Sequence, residues 1–340
     1  MSVKLRRINE QVIVITGATS GIGLSTARMA AERGARLVLA ARADAALDEL
    51  AHDLRARGTD VITVTADVGK VDDVEHIGDA AIREFGRIDT WVNNAGISIF
   101  GRIEDISPED HHRLFQTNFW GVVNGSLEAV KRMKLRGGGA LINIGSELSD
   151  HGIPLQGMYA ASKHAVKGFT DSLRMELEKE GAPMSITLVK PSGIDTMFAV
   201  HAKNYMDKEP KLPAPVYAPE LVADAILYAA QHPKRDVFVG GAAKFNSSGA
   251  RFLPRAFDKY VTATMFKNQK LDAPTDPGRR DALHKPDHTR ELRERQGSPH
   301  RVHERSPYTA AQLRSKQITT ALLGGGAMLA AFALSRRTTR

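Results

Sequence analysis

The chain has 340 residues, of which 42% are hydrophobic, and this is enough to bury one large core and still leave an appendage. The absence of cysteine excludes a disulfide framework and a thiolate metal site. Of the net charge of +8, residues 270–340 carry +7 (14 Lys/Arg against 7 Asp/Glu), so the basic character belongs to a tail and we expect no nucleic-acid partner.

Residues 11–240 alternate short β-branched runs with longer amphipathic stretches, which predicts a parallel sheet with helices on both faces. The predicted strands are 11–16, 36–41, 61–66, 90–93, 140–145, 185–190 and 236–239. The predicted helices are 21–33, 43–57, 71–85, 108–136, 157–180 and 221–231. The first strand is continuously apolar, as burial on both faces requires. The pattern therefore predicts an α/β protein with a doubly wound parallel sheet (Rossmann fold), in a single domain over residues 1–266.

The composition changes after about residue 266. Residues 267–317 are rich in Pro, Asp, Arg and His, which predicts a polar, disordered linker. Residues 318–335 then run without a charge between basic clusters. As a helix they would be about 27 Å long, near the lower limit for crossing a bilayer. We expect this segment to attach a cytoplasmic catalytic domain to a membrane surface, and a closely packed dimerisation helix is the competing interpretation.

A glycine-rich turn joins the first strand to the first helix. Glycines there let the main chain approach a pyrophosphate closely, and the helix N-terminus offers free N–H groups to the phosphates. A turn with only a packing role is the alternative. The residues of this predicted cofactor loop are Thr16, Gly17, Thr19, Ser20, Gly21, Ile22 and Gly23.

The end of the second strand bears on the choice of nicotinamide cofactor. A carboxylate at this position would bind the adenosine ribose 2′-hydroxyl and repel a 2′-phosphate. The chain instead has Ala41 followed by Arg42, whose guanidinium can pair with a phosphate. The sequence therefore favours NADP(H), with a solvated surface arginine as the alternative. After the third strand, Asp67 and Val68 are candidates for the adenine pocket.

A second group of residues suits proton transfer at a carbonyl. Tyr159 and Lys163 are one helical turn apart, so the ammonium group can stabilise the phenolate of a general acid/base. Ser146 follows a predicted strand and can donate a hydrogen bond to the substrate oxygen. Asn118, in the predicted helix 108–136, is the candidate for holding a water that relays protons to Lys163.

This combination of motifs resembles the short-chain dehydrogenase/reductase family over roughly residues 9–240. The matching motifs are Thr16 to Gly23, Asn93-Asn94-Ala95-Gly96, and the set Asn118, Ser146, Tyr159 and Lys163. The resemblance implies that the cofactor is also contacted by Asn94, Ala95, Gly96, Tyr159, Lys163, Pro191, Ile194 and Thr196. It further implies a homodimer built on helices 108–136 and 157–180. Two departures, Pro191-Ser192-Gly193 and Gly240-Gly241-Ala242, put the substrate side and the family's common tetramer in doubt.

The predicted function is therefore an NADP(H)-dependent oxidoreductase that interconverts a carbonyl and an alcohol on a small molecule. An apolar lid at about 195–216 favours an apolar substrate, unless those side chains only pack against the core. The alternative is a non-catalytic NADP-binding scaffold or regulator at the membrane. We expect no metal, because the histidines lack partners at ligand spacing.

Overall fold

A computed structural model describes residues 3–287 and 291–314. Its centre is a parallel sheet of seven strands: β1 (Val12–Thr16), β2 (Arg36–Ala41), β3 (Val61–Thr65), β4 (Thr90–Asn93), β5 (Gly139–Ile144), β6 (Met184–Pro191) and β7 (Asp236–Val239). Their order in the sheet is β7-β6-β5-β4-β1-β2-β3. The α/β fold class is confirmed, and each predicted strand is present within one or two residues of its expected bounds.

Helices cover both faces of this sheet. They are α1 (Gly21–Glu32), α2 (Asp44–Ala56), α3 (Val71–Phe85), α4 (Pro108–Phe115), α5 (Gly121–Met133), α6 (Gly157–Lys179), α7 (Phe198–His201), α8 (Pro219–Ala229), α9 (Gly241–Phe252), α10 (Pro254–Asn268) and α11 (Pro307–Leu313). Alternate residues of β1 enter two separate cores: Ile13 and Ile15 pack on one face of the sheet, and Val12 and Val14 on the other. Every residue of β1 is buried, as its continuous apolar run predicted.

The strand order reverses between β1 and β4, because β2 lies on one side of β1 and β4 on the other. At such a point the loops that follow the two strands diverge and leave a crevice at the carboxyl edge of the sheet. The glycine-rich turn after β1 and the segment after β4 border this crevice, and they position the candidate site.

The structure does not have the one continuous helix predicted over residues 108–136. This segment instead consists of α4, a π-helical turn at Gln116–Trp120, α5 and a 3-10 turn at Lys134–Arg136. Helical periodicity gives no signal for a π turn, because the residues on either side keep the helical pattern.

Within the described parts of 267–317, the structure differs from the expected disordered linker. Lys270–Pro274 pairs antiparallel with Lys208–Pro210, Val302–His303 pairs with Val216–Tyr217, and α11 packs against β7. Polar composition predicts disorder because such a segment cannot build a core of its own. These described residues instead use the domain's core and its main-chain hydrogen-bonding groups.

The apolar run 318–335 lies outside the described residues. Among the helices within 3–287 and 291–314, none is long and apolar enough to cross a membrane.

Candidate active site

The loop between β1 and α1 has the close main-chain geometry that its glycines predicted. Gly17 and Gly21 have φ of 65° and 52°, a region that favours glycine. A Cβ at Gly23 would lie 2.0 Å from the Gly17 carbonyl oxygen. The loop therefore leaves room for main chain or ligand only while these positions carry no side chain.

Thr16 and Asn94 fasten this loop to the segment after β4. The Thr16 hydroxyl accepts hydrogen bonds from the main-chain N–H of Asn94 (3.0 Å) and of Ala95 (3.2 Å). The Asn94 side chain donates to the carbonyls of Thr16 (2.9 Å) and Gly17 (3.1 Å). Both side chains thus hold the crevice in shape, and Thr16 is engaged in this bridge.

Two arginines meet at the adenosine end of the crevice. Arg42 follows β2, and the second is Arg113 of α4, which donates to a carboxylate oxygen of Asp67 at 2.7 Å. Burial raises the pKa of Asp67, but the hydrogen bond and charge of Arg113 outweigh it and hold the pKa below its usual range. Burial and then the charge of Arg113 lower the pKa of Arg42. Asp67 partly neutralises Arg113, so Arg42 is the main positive group that could bind an anion here.

Arg42 is bound by main-chain oxygens in this structure. Its guanidinium donates to the carbonyls of Ala282, Leu283 (3.1 Å) and His284 (3.3 Å). Arg113 also donates to the Leu283 carbonyl, at 3.0 Å. Arg42 is thus partly buried and hydrogen-bonded, unlike the solvated surface arginine of the alternative, and its partners belong to the C-terminal segment.

Tyr159 and Lys163 lie on one face of α6, at the opposite end of the crevice. Both are buried, and the Lys163 ammonium is 5.7 Å from the centre of the Tyr159 ring. It donates a 2.8 Å hydrogen bond to the Ile144 carbonyl at the end of β5. The carboxyl edge of the sheet and the first turn of α6 thereby place a cation beside the phenol.

Burial governs the pKa values of this pair. It raises the pKa of Tyr159 well above the usual value, an effect that a hydrogen bond from Ser146 opposes and the charge of Glu147 reinforces. Burial lowers the pKa of Lys163 to about 8. Burial thus disfavours the charged form of each group, and a charge on one favours the opposite charge on the other.

Ser146 follows β5, where it caps a short 3-10 turn. Its hydroxyl oxygen accepts from the Leu148 N–H at 3.1 Å, and its own N–H donates to the Ser149 hydroxyl at 3.1 Å. These bonds fix the hydroxyl at the crevice wall while its proton remains able to turn toward a bound oxygen.

Asn118 lies at the middle of the π-helical turn and is completely buried. Its side-chain oxygen accepts from the Ile97 N–H, and its amide donates to the Ile97 carbonyl, both at 2.9 Å; the amide also donates to Ser162 at 3.2 Å. The side chain therefore fixes the segment after β4, a role that the sequence did not predict. The expected water relay to Lys163 stays a prediction.

The lid predicted at 195–216 divides between the crevice and the core. Phe198 packs edge-on against Tyr159, with ring centres 5.2 Å apart, and Met197 also borders the crevice. Met206 packs instead with Phe100 in a separate cluster. The side chain of Thr196 approaches Gly21, so the lid begins directly above the loop.

One crevice brings together most of the predicted site residues. Those that line it are Gly17, Thr19, Ser20, Gly21, Ile22, Arg42, Asp67, Val68, Asn94, Ala95, Gly96, Ser146, Tyr159, Lys163, Pro191, Ile194 and Thr196. Thr16, Gly23 and Asn118 lie behind the wall that these residues form.

Comparison with known proteins agrees with this geometry. Residues 11–206 match the short chain dehydrogenase family. The chain belongs to this family. It is 50% identical over 284 residues to the Bacillus subtilis (strain 168) protein named uncharacterized oxidoreductase YxnA, covering 83% of this chain and 80% of that one.

Two solved structures of similar fold carry different nicotinamide cofactors. An alcohol dehydrogenase from Thermococcus sibiricus, complexed with 5-hydroxy-NADP, has a TM-score of 0.60 and 28% identity, covering 67% of this chain and 95% of its own. A short chain dehydrogenase/reductase from Burkholderia phymatum, in complex with NAD, has a TM-score of 0.62 and 26% identity, covering 78% and 97%. This protein is thus an oxidoreductase of the short chain dehydrogenase family.

The sequence did not point to three further groups at the crevice. Arg113 is 46 positions from the Asp67 that it binds, and an arginine on a helix carries no signal of such a pairing. Glu147 accepts hydrogen bonds from Ser192 and Asn246, and burial raises the pKa of its carboxyl. The C-terminal segment also lines the crevice, through Ala282, Pro286 and Glu291.

Proposed function

We propose that this family member interconverts a carbonyl and an alcohol on an apolar small molecule, with NADP(H) as the hydride carrier. The observation that carries the proposal is that Tyr159, Lys163 and Ser146 border the same crevice as the glycine loop. A dinucleotide fits the loop because Gly17, Gly21 and Gly23 leave the main chain open to a pyrophosphate. When bound, the nicotinamide ring supplies or accepts the hydride.

Side chains around the crevice carry out the proton transfer and stabilise the charges that form. Ser146 donates a hydrogen bond to the substrate oxygen and stabilises its developing negative charge. Tyr159 gives its phenolic proton to that oxygen during reduction and takes it back during oxidation. The charge of Lys163, held close to the phenol, stabilises the phenolate that remains, and Asn118 keeps the opposite wall in place.

The preference for NADP(H) rests on charge at the adenosine end. Two guanidinium groups, of Arg42 and Arg113, lie there, and the residue that ends β2 is Ala41 instead of a carboxylate. A 2′-phosphate would accept charge-assisted hydrogen bonds from this pair. Of the two solved structures of similar fold, one contains an NADP derivative and the other NAD. The proposed preference therefore rests on the side chains at the adenosine end alone.

The apolar substrate class rests on the wall around Tyr159. The crevice that Tyr159 lines also has apolar side chains in its wall, namely Leu148, Ile153, Met197, Phe198 and Leu212. Such a wall favours burial of an apolar body beside the reacting oxygen.

The experiment is NADPH oxidation measured against a panel of aldehydes and ketones graded in apolar surface. Wild type should reduce the apolar members, whereas Tyr159→Phe should bind NADPH and turn over at least about 10²-fold more slowly. A wild-type protein that binds NADPH without oxidising it against any panel member would favour the non-catalytic scaffold instead.

A homodimer through α5 and α6 is part of the proposal. Large apolar side chains are exposed on this side of the fold: Trp120 and Leu127 are seven residues apart, hence on one helical face, and Met175 lies on α6. An exposed apolar surface of this kind is typical of protein interfaces.

Membrane attachment through 318–335 is a separate proposal that rests on the sequence of that run. Exposed aromatic side chains of α9 and α10, among them Phe245, Phe252 and Tyr260, would add apolar surface. Fractionation should place the full chain with membranes and a chain ending at Arg314, which keeps the described residues 3–287 and 291–314, in the soluble fraction. Equal partitioning would contradict attachment.

A further inference from the structure

Parts of the C-terminal segment line the cofactor crevice. We name residues 282–287 and 291–298 the strap. Ala282, Pro286 and Glu291 of the strap line the same crevice as the glycine loop and Tyr159. The strap therefore lies where a dinucleotide would pass.

One anchor of the strap is Arg42. Three successive main-chain carbonyls, those of 282–284, accept from its guanidinium, and Arg113 binds the middle one. These are the two cations that the proposed function assigns to a 2′-phosphate. The same donors cannot serve the carbonyls and a phosphate fully at once, because the guanidinium has a fixed set of N–H groups.

A second anchor is the glycine loop itself. The Leu292 N–H donates to the Thr19 carbonyl at 2.8 Å, and the Gly21 N–H donates to the Arg293 carbonyl at 3.0 Å. Leu292 has φ of 57°, a conformation that leucine rarely adopts without surrounding support. Gly21 begins α1, so one N–H at this helix N-terminus is directed at the strap.

Tethers outside the crevice hold the strap in this position. Arg28 of α1 pairs with Glu294 at 2.6 Å, and Arg295 pairs with Glu220 of α8 at 2.7 Å. The charges on each tether are partly exposed, so each contributes little and can be removed without burying an unpaired charge.

We propose that the strap is a selectivity element for the 2′ position of the cofactor, an inference that rests on the proposed use of NADP(H). A phosphate dianion is a stronger acceptor for Arg42 than neutral carbonyls, so it displaces residues 282–284 and releases the strap. A ribose 2′-hydroxyl gives Arg42 no charged replacement, so a ligand that carries it can displace the carbonyls only without compensation and binds weakly. Every ligand at the adenosine end therefore binds more weakly because it must displace the strap. A 2′-phosphate offsets this loss of binding free energy through its own hydrogen bonds to Arg42.

Two small ligands isolate the adenosine end for a first test. Adenosine 2′,5′-bisphosphate and 5′-AMP differ at the 2′ position, and calorimetry with the full chain measures the affinity of each. Hydrogen exchange at 282–287 should become faster with the bisphosphate and stay unchanged with AMP. Arg42→Ala should remove both the affinity difference and the exchange response.

The outcomes separate the two proposals. Equal affinity for the two ligands overturns the NADP(H) preference and, with it, the role of the strap. Preferential binding of the bisphosphate with unchanged or slower exchange at 282–287 overturns the strap inference alone.

The ion pair between Arg28 and Glu294 provides a second test, in which the direction of the change in bisphosphate affinity decides the outcome. Arg28→Gln and Glu294→Gln remove the same ion pair with opposite changes in net charge. Both should tighten bisphosphate binding, by about two- to fivefold, because release of the strap then costs less. Arg301→Gln is the control: Arg301 is exposed and lies outside the strap, so this variant should not change the affinity for the bisphosphate. Unchanged or weaker binding in both tether variants would show that the strap does not oppose the ligand, and would overturn the inference.

Discussion

The variant Lys163→Met tests whether burial of the Lys163 ammonium group lowers the free energy of unfolding of the protein. Lys163 is buried, and burial lowers its pKa from 10.5 to about 8. Between these two values the unfolded chain binds a proton that the folded protein has released. The free energy of unfolding should therefore rise with pH in this window, and the penalty should be fully present below about pH 8.

The size of the effect follows from the shift. From 10.5 to about 8 is a lowering that corresponds to about 3 kcal/mol at about 1.4 kcal/mol per pKa unit. Tyr159 acts in the opposite sense, since burial raises its pKa and an unfolded tyrosine begins to ionise near pH 10. The useful range is thus pH 7 to 10, where about 2 kcal/mol of the change should appear.

The assay is urea unfolding of wild type and Lys163→Met without cofactor at several pH values. Methionine has a similar volume and no charge, so the stability of the variant relative to wild type should fall by about 2 kcal/mol from pH 7 to pH 10. The hydrogen bond lost at the Ile144 carbonyl shifts all values equally and does not affect this slope. A stability difference that is constant with pH would refute the argument that Lys163 is desolvated.

Three further variants test other parts of the site. Arg42→Ala should weaken NADPH binding by at least about tenfold and NADH binding far less, and equal losses in titrations would contradict the assigned phosphate contact. Gly23→Ala places a Cβ 2.0 Å from a loop carbonyl and should abolish cofactor binding, whereas Gly168→Ala, which meets nothing within 4 Å on α6, should bind normally; similar affinities would refute the loop geometry. Leu127→Glu should convert a dimer to a monomer in light scattering, with Val71→Glu, at an exposed position of α3, as the control; an unchanged mass for Leu127→Glu would exclude this interface.

The sequence predicted those parts of the fold in which local pattern and burial agree. The run Val12–Thr16 is apolar throughout because both of its faces are buried, and the glycines of the loop mark positive φ or a close main-chain approach. The four-residue spacing of Tyr159 and Lys163 predicted a shared helical face, and the structure shows the pair adjacent.

Features that depend on contacts distant in the chain could not be predicted in this way. Asn118 bonds to Ile97 through a π turn for which periodicity has no signature. Residues 282–284 bind Arg42 across about 240 positions, through main-chain oxygens that every residue possesses. Composition suggested disorder there because the segment has few apolar side chains. Composition does not show that such a segment can pack on a domain that is already folded.

The most direct test of the central claim is transfer of deuterium to a carbonyl substrate from the panel, using NADPH that carries deuterium in place of both hydrogens at C4 of the nicotinamide. The account predicts one deuterium on the carbinol carbon of the product, seen by mass spectrometry with wild type and at least about 10²-fold more slowly with Tyr159→Phe. An unlabelled product, or equal rates of labelling in the two proteins, would contradict hydride transfer with Tyr159 as the acid.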